Sequence, residues 1–271
     1  MRILLTNDDG IDAEGFQVLR RIAATISDDI WVCAPEIEQS GASRGITLST
    51  PLRARRVAEK EWAVSGTPTD CVVLAVNDLM PVRPDLVLSG VNRGANLAED
   101  VTLSGTVAGA LQGMALGVRA VALSQAIRVF HDSTVAPYET AEAYAPGILQ
   151  HLFEQGWPAD VILNVNFPDL PPEAVTGVEV TTQGRRDLHH MHAERRTDLR
   201  GRDYFWMGFK GEPSNPGEGT DLMAIAEGRI SVTPLHIDWT HQPSVRALRG
   251  VLGGPPPKAR AVGAHSVRDE V

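Results

Sequence analysis

The sequence predicts an α/β protein, a mostly parallel sheet flanked by helices, with a C-terminal extension that carries a hairpin arm. Three observations lead there. Short apolar runs alternate with helix-like runs through the first half of the chain, the pattern of parallel strands joined by covering helices. The first apolar run stops at Asn7-Asp8-Asp9-Gly10, acids and a turn glycine at a strand's carboxyl end, where open α/β sheets collect ligands. With 271 residues and 43% hydrophobic content, the chain can bury one substantial core.

Each element follows from local pattern. Residues 2–6 read as a buried strand. Residues 14–26 place Phe16, Leu19, Ile22 and Ala23 on one helical face, and 30–34 are a second buried strand. Pro35 opens a loop, 51–65 reads as a hairpin excursion, and Thr67 caps a helix reaching Leu79. A core strand over 85–88 ends at Ser89-Gly90 and is followed by a long loop, 91–103. Loops of that length in a compact domain are usually functional. A helix rich in small residues covers 104–114, a strand 119–124, a helix 139–153, and strands 161–167 and 178–182. The segment 185–203 is too polar for core, and 204–209 alternates like one arm of a hairpin. A short helix over 220–227, a strand over 230–235 and a helix over 245–252 complete the order. The expected organisation is one domain over 1–252, with a core over 1–183, an arm over 184–235 and a flexible tail over 253–271.

Composition removes several function classes. A formal net charge of -9 argues against binding a nucleic-acid polymer, which needs many phosphate-neutralising cations. No apolar run is long enough to span a bilayer and no signal peptide is visible, so no membrane partner and a cytoplasmic location are expected. Cys33 and Cys71 lie in apolar surroundings and read as reduced core thiols. Neither a dinucleotide glycine fingerprint nor a P-loop run occurs.

Chemistry concentrates in three loops on one rim of the expected sheet. Asp8 and Asp9 are adjacent carboxylates, costly together unless a cation neutralises them, although an Asx-rich turn with solvated acids uses the same residues. After the second strand comes Ser40-Gly41-Ala42-Ser43. After the third come Asn92 and Asn96, then Ser104-Gly105-Thr106 opening a helix. Backbone N–H groups and hydroxyls at a helix start suit a phosphate, while a plain Ser N-cap also accounts for Ser104. If these strands are neighbours, Asp8, Asp9, Ser40 and Asn92 supply an all-oxygen set that favours Mg²⁺ or Mn²⁺ over Zn²⁺. His189, His190 and His192 sit in an Arg-rich segment without a second ligand set and read as part of a solvated arm. Arg185, Arg186, Arg195 and Arg196 are candidates, by sign alone, for attracting an anionic substrate.

These blocks together resemble the SurE family of survival proteins. The resemblance runs through Leu4-Leu5-Thr6-Asn7-Asp8-Asp9-Gly10, Ala34-Pro35 with Ser40-Gly41-Ala42-Ser43, Gly66-Thr67-Pro68-Thr69-Asp70-Cys71, Ser89-Gly90-Val91-Asn92 with Gly94 and Asn96, Ser104-Gly105-Thr106 and Ser231-Val232-Thr233-Pro234-Leu235. It implies a Rossmann-like core and one divalent ion per subunit held by Asp8, Asp9, Ser40 and Asn92. It also implies hydrolysis of nucleoside 5′- and 3′-monophosphates, with a related polyphosphate or broad phosphatase activity as the alternative. On this reading Asp8, Asp9 and Asn96 are catalytic, and Asn96, Ser104, Gly105 and Thr106 bind the phosphate. Family members form homodimers or homotetramers by exchanging C-terminal elements, which makes the hairpin near 200–210 the expected exchange arm. Two departures stand out: Leu103 occupies a position often aromatic in the family, and the segment 36–39 is one residue longer. A Mg²⁺-binding receiver module, from a different class, would need a phospho-accepting Asp where this chain has Ser89-Gly90.

Overall fold

The computed structural model describes residues 1–130, 133–186, 189–211 and 215–254. They divide into two units, Met1–His236 and Ile237–Val271. The first contains a nine-stranded sheet built from β1 (Arg2–Thr6), β2 (Asp29–Pro35), β3 (Ala54–Ala58), β4 (Glu61–Val64), β5 (Leu86–Arg93), β6 (Arg119–Gln125), β9 (Ile162–Phe167), β10 (Gly177–Val180) and β13 (Arg229–Leu235). Their order is β10-β13-β9-β6-β5-β1-β2-β4-β3. From β9 to β4 every neighbouring pair is parallel; β13 runs antiparallel to β9, and β3 to β4.

Helices cover both faces. Alternation along each strand sends Ile3, Leu5, Leu88, Leu123 and Val165 to one face, beneath α1 (Glu14–Ala24) and α4 (Tyr138–Gln155). Phe16, Leu19 and Ile22 of α1 are fully buried there, each contributing about 1.5–3 kcal/mol by leaving water. The other face presents Leu4, Val87, Ala120 and Ile162 to α2 (Pro68–Leu74) and α3 (Gly105–Ala115). Thr67 and Asp70 form a reciprocal capping box at the start of α2. Cys33 and Cys71 are buried, free thiols in this layer, and burial pushes the Cys71 thiol well up.

Toward the carboxyl rim, that second face turns from apolar to polar. The register aligns Thr6 with Ser89 and Ala122 with Asn164, and in the next row Asn92 with Ser124 and Asn166. Helix α3 lies close over these strands because its facing positions are glycines. A Cβ on Gly105 would sit 2.7 Å from Asp8 Cβ, one on Gly109 2.8 Å from Ser89 Oγ, and one on Gly113 2.8 Å from Val87 Cγ2.

Several expectations need correction. The strand read over 85–88 does not stop at Ser89: Gly90, at φ +140, begins a cis peptide and a bulge, and β5 resumes beside β6 as far as Arg93. The hairpin over 51–65 is no excursion, because β4 pairs parallel with β2 and extends the main sheet. The arm does not reach 235. Its antiparallel pair, β11 (His189–Thr197) and β12 (Asp203–Gly211), forms a separate two-stranded sheet, whereas β13 belongs to the core sheet. A small pair, β7 (Arg128–Phe130) and β8 (Ser133–Val135), is unanticipated. Following α5 (Asp221–Ala226) and β13, the first unit ends at His236; α6 (Gln242–Leu252) lies in the second unit, so the domain boundary expected at 252 falls within that unit. Most of the tail expected over 253–271 lies outside the described residues.

Candidate functional site

The three loops predicted to carry chemistry do meet at one rim. β1 delivers Asn7, Asp8 and Asp9 at its end, and the Asn7 amide donates to Gly10 O at 2.7 Å, closing the turn. Asp8 is only 4% exposed. Its Oδ1 accepts the Thr106 hydroxyl, its Oδ2 lies against Gly105, and the Thr106 main-chain N–H also interacts with the carboxylate. The first turn of α3 therefore faces Asp8, a favourable place for negative charge. Ser104 caps this turn, its Oγ accepting the Val107 N–H at 3.1 Å.

Asp9 points to the neighbouring strand end, where its Oδ2 accepts the Arg93 main-chain N–H at 3.0 Å, one residue beyond Asn92. Asn92 spends its amide nitrogen on Gly94 O at 2.7 Å. The β2 loop is joined in by the Gln39 N–H, which donates to Asp8 O at 2.7 Å. Ser40 next to it is exposed and donates its hydroxyl hydrogen to Glu38 Oε1 at 2.8 Å.

Burial dominates the electrostatics. The Asp8 carboxyl is pushed up to about 6, chiefly because burial disfavours its charged form, with the Thr106 hydrogen bond opposing and Asp9 adding repulsion. Asp9 is raised by burial first, with the Arg93 N–H opposing and Glu38 repelling. Tyr138 is raised by burial and then by Asp9. Asn7 Oδ1, Thr6 Oγ1, Ser89 Oγ and Asn164 Oδ1 are buried beside this rim without a hydrogen-bond partner.

Asn96, expected to bind the phosphate, is tied into the sheet by both its side chain and its main chain. Its amide donates to Ser124 Oγ at 2.8 Å, and its main chain is bonded by Asn164 and Asn166. The following turn is held from the C-terminal half. Asp221 Oδ2 accepts the Ala98 N–H at 2.8 Å, Gln183 donates to Ala98 O at 3.0 Å, and Arg186 pairs with Asp100 at 2.8 Å. Sequence reading missed Ser124, Asn164, Asn166, Gln183 and Asp221. Asn164-Val165-Asn166 did offer a signal, two amides on one face of an otherwise apolar strand; Asp221 offered none beyond an acid in a helix's first turn. Of the arginines singled out for attracting anions, Arg186 is paired with Asp100, Arg195 with Asp203 and Arg196 with Glu194.

Comparison with known proteins finds close similarity over nearly the whole chain. A family model described as survival protein SurE matches residues 3–190. The chain is 66% identical over 265 residues to 5′-nucleotidase SurE of Caulobacter vibrioides (strain NA1000 / CB15N), spanning 97% of this chain and 100% of that protein. It is 55% identical over 249 residues to 5′-nucleotidase SurE of Hyphomonas neptunium (strain ATCC 15444), spanning 92% of this chain and 98% of that protein. The crystal structure of the SurE protein from Aquifex aeolicus superposes with a TM-score of 0.78 at 34% identity, covering 93% of this chain and 99% of that one.

Proposed function

This chain belongs to the SurE family, and from that premise we propose that it is a metal-dependent 5′-nucleotidase that also accepts nucleoside 3′-monophosphates. The observation that carries this reading is the meeting of Asp8 with the first turn of α3 while Asp9 reaches the Arg93 main chain beside Asn92.

The donor set suits one hard divalent cation, Mg²⁺ or Mn²⁺. Two carboxylates stand side by side, both raised from their ordinary values, and Asn7 Oδ1 is buried without a partner. Among the described residues no group of three or more His, Cys, Asp and Glu could hold a metal, so the remaining ligands are neutral oxygens. Asn92 has its amide nitrogen engaged and its oxygen left over, and the Ser40 hydroxyl donates its hydrogen while keeping lone pairs. Asp8, Asp9, Ser40 and Asn92 would hold the ion. When bound, such a cation supplies positive charge against the phosphate and acidifies water.

The chain's own residues account for the rest. Ser104 and the start of α3 receive phosphate oxygens, aided by the helix dipole, while Thr106 gives its hydroxyl hydrogen to Asp8. The second amide hydrogen of Asn96 is a further donor. Asp8, immobilised by Thr106 and Gly105, orients the site, and Asp9, the more accessible carboxylate, lines up the attacking water and takes its proton.

Assembly belongs to the same reading. Hairpin β11–β12 leaves Met191 53%, Phe205 53%, Trp206 61% and Met207 65% exposed. Phe205 and Trp206 are successive strand residues and so lie on opposite faces; an isolated two-stranded ribbon is marginal in water. A second copy of the chain, in a homodimer or homotetramer, is the partner we assign to it. Among the described residues no helix is long and apolar enough to cross a membrane, and the buried free thiols suit the cytoplasm.

The test is an assay of metal-depleted protein on nucleoside 5′- and 3′-monophosphates and polyphosphate, restored in turn with Mg²⁺, Mn²⁺ and Zn²⁺. Restored turnover of mononucleotides is expected. Undiminished turnover in chelator, or none on any mononucleotide with any of the three ions, would overturn the proposal.

A further inference from the structure

We propose that Asn164 and Asn166 are positioning residues for the reaction assigned above, on which this inference rests: together they hold the main chain of Asn96, and with it the segment that brings Asn92 and Arg93 to Asp9.

Strand β9 is buried along its whole length, and its two asparagines are fully buried. An amide placed there costs about 1–3 kcal/mol unless its polar atoms are paired. These amides are paired with one residue of a loop. Asn166 Oδ1 accepts the Asn96 N–H at 2.8 Å, and Asn166 Nδ2 donates to Asn96 O at 3.2 Å. Asn164 Nδ2 donates to the same carbonyl at 2.8 Å. Side-chain amides thus supply what a neighbouring strand would supply in a ladder, at a point where the backbone has left the sheet.

Both ends of the short segment are referred to one row of the sheet. Asn92 aligns with Ser124 and Ser124 with Asn166, and four residues later the Asn96 side chain returns to Ser124. Between them the Gly94 N–H donates to Gln125 O at 2.9 Å and the Arg93 N–H to Asp9 at 3.0 Å. Asn164 Oδ1 remains buried without a partner. A residue chosen for stability alone would be apolar here, so the pairing is explained by the placement it gives to Asn96. Displacement of a reacting group by about 1 Å can cost on the order of a hundredfold in rate.

The experiment compares Asn166→Ala, Asn164→Leu and Asn166→Asp with a control, Thr181→Val. Thr181 is also buried, and its hydroxyl bridges Ser231 and Thr233, the β13 partners of Asn166 and Asn164, so it controls for the loss of a buried polar group beside the clamp that does not itself hold Asn96. Three readouts are taken below the melting temperature: kcat and KM, the affinity of substrate-free protein for Mn²⁺ by calorimetry, and hydrogen exchange of peptides covering 91–103. We expect Asn166→Ala to lower kcat by about tenfold to a hundredfold and to weaken Mn²⁺ binding by about tenfold. KM should change little and exchange over 91–103 should accelerate. Asn166→Asp, which keeps the acceptor for the Asn96 N–H, should fall between wild type and Asn166→Ala, and Thr181→Val should leave all three readouts unchanged. Asn164→Leu serves if Asn166→Ala does not fold, with the same direction expected. Native-like kcat and exchange in the asparagine variants, or the same losses in Thr181→Val, would sink the inference. A wild-type protein inactive on every mononucleotide would instead remove the nucleotidase reading, and Mn²⁺ affinity and exchange would still decide the clamp.

Discussion

The Thr106 hydroxyl donates to Oδ1 of Asp8, so the acidic turn after the first strand and the opening turn of α3 act as one unit. The two residues lie 98 positions apart in the sequence. Thr106→Val keeps the shape and removes the donor. We expect kcat to drop by about tenfold, corresponding to a lost charge-assisted hydrogen bond of about 1.5 kcal/mol, with Thr106→Ser recovering most of the rate. Steady-state kinetics on a nucleoside monophosphate, with melting temperatures alongside, checks this; an unchanged kcat in the valine variant would separate Thr106 from the reaction.

Asp8 should make the metal-free protein less stable as pH rises. Its folded value of about 6 lies above the ordinary 3.8, so the folded state binds the proton more tightly than the unfolded chain. The resulting stability, about 3 kcal/mol at most, is fully present below about pH 4 and is lost as pH rises through 6. Urea unfolding in chelator between pH 4 and 7 should show this decline in wild type and a flatter profile in Asp8→Asn. The same variant should lose turnover when metal is restored.

Glycine-to-alanine changes should have opposite signs at two helical sites. In α4 a Cβ on Gly147 meets nothing within 4 Å, and Gly147→Ala should stabilise by about 0.5–1 kcal/mol. In α3 a Cβ on Gly105 would lie 2.7 Å from Asp8 Cβ, and Gly105→Ala should destabilise by about 1–3 kcal/mol and depress kcat. Equal gains at both positions in denaturant titrations would contradict the close approach of α3.

Water rather than a protein carboxylate should attack phosphorus. In a single turnover in oxygen-18 water, label should appear in the released phosphate and not in Asp8 or Asp9. Label found in either carboxylate by mass spectrometry would establish an aspartyl-phosphate route.

The hairpin prediction concerns assembly. Trp206→Glu places a charge on the exposed ribbon and should shift sedimentation toward the monomer, with the melting temperature of the first unit little changed. A wild type that is monomeric at micromolar concentration would refute the assignment.

The parallel core was legible because buried strands such as Ile162–Phe167 and the stripe Phe16, Leu19, Ile22 carry their periods in local sequence. Asp8, Asp9, Ser104 and Thr106 were legible for a related reason: strand ends and helix starts are marked by turn and cap residues. What local pattern could not carry was long-range pairing. The β3–β4 hairpin reads the same whether it stands apart or adds to the sheet, and β13 differs from an arm strand only in its partner. Asn96 was recognisable as polar and loop-borne, but its engagement with Ser124 and β9 depends on residues 28 to 70 positions away.

The glycine face of α3 divides what can drift from what cannot. With only hydrogen atoms between helix and strands at Gly105 and Gly109, the spacing of the first turn of α3 and the carboxylates is set by atomic radii and inherits the stiffness of the sheet. Rim segments such as 36–40 could then change in length while that spacing stays fixed.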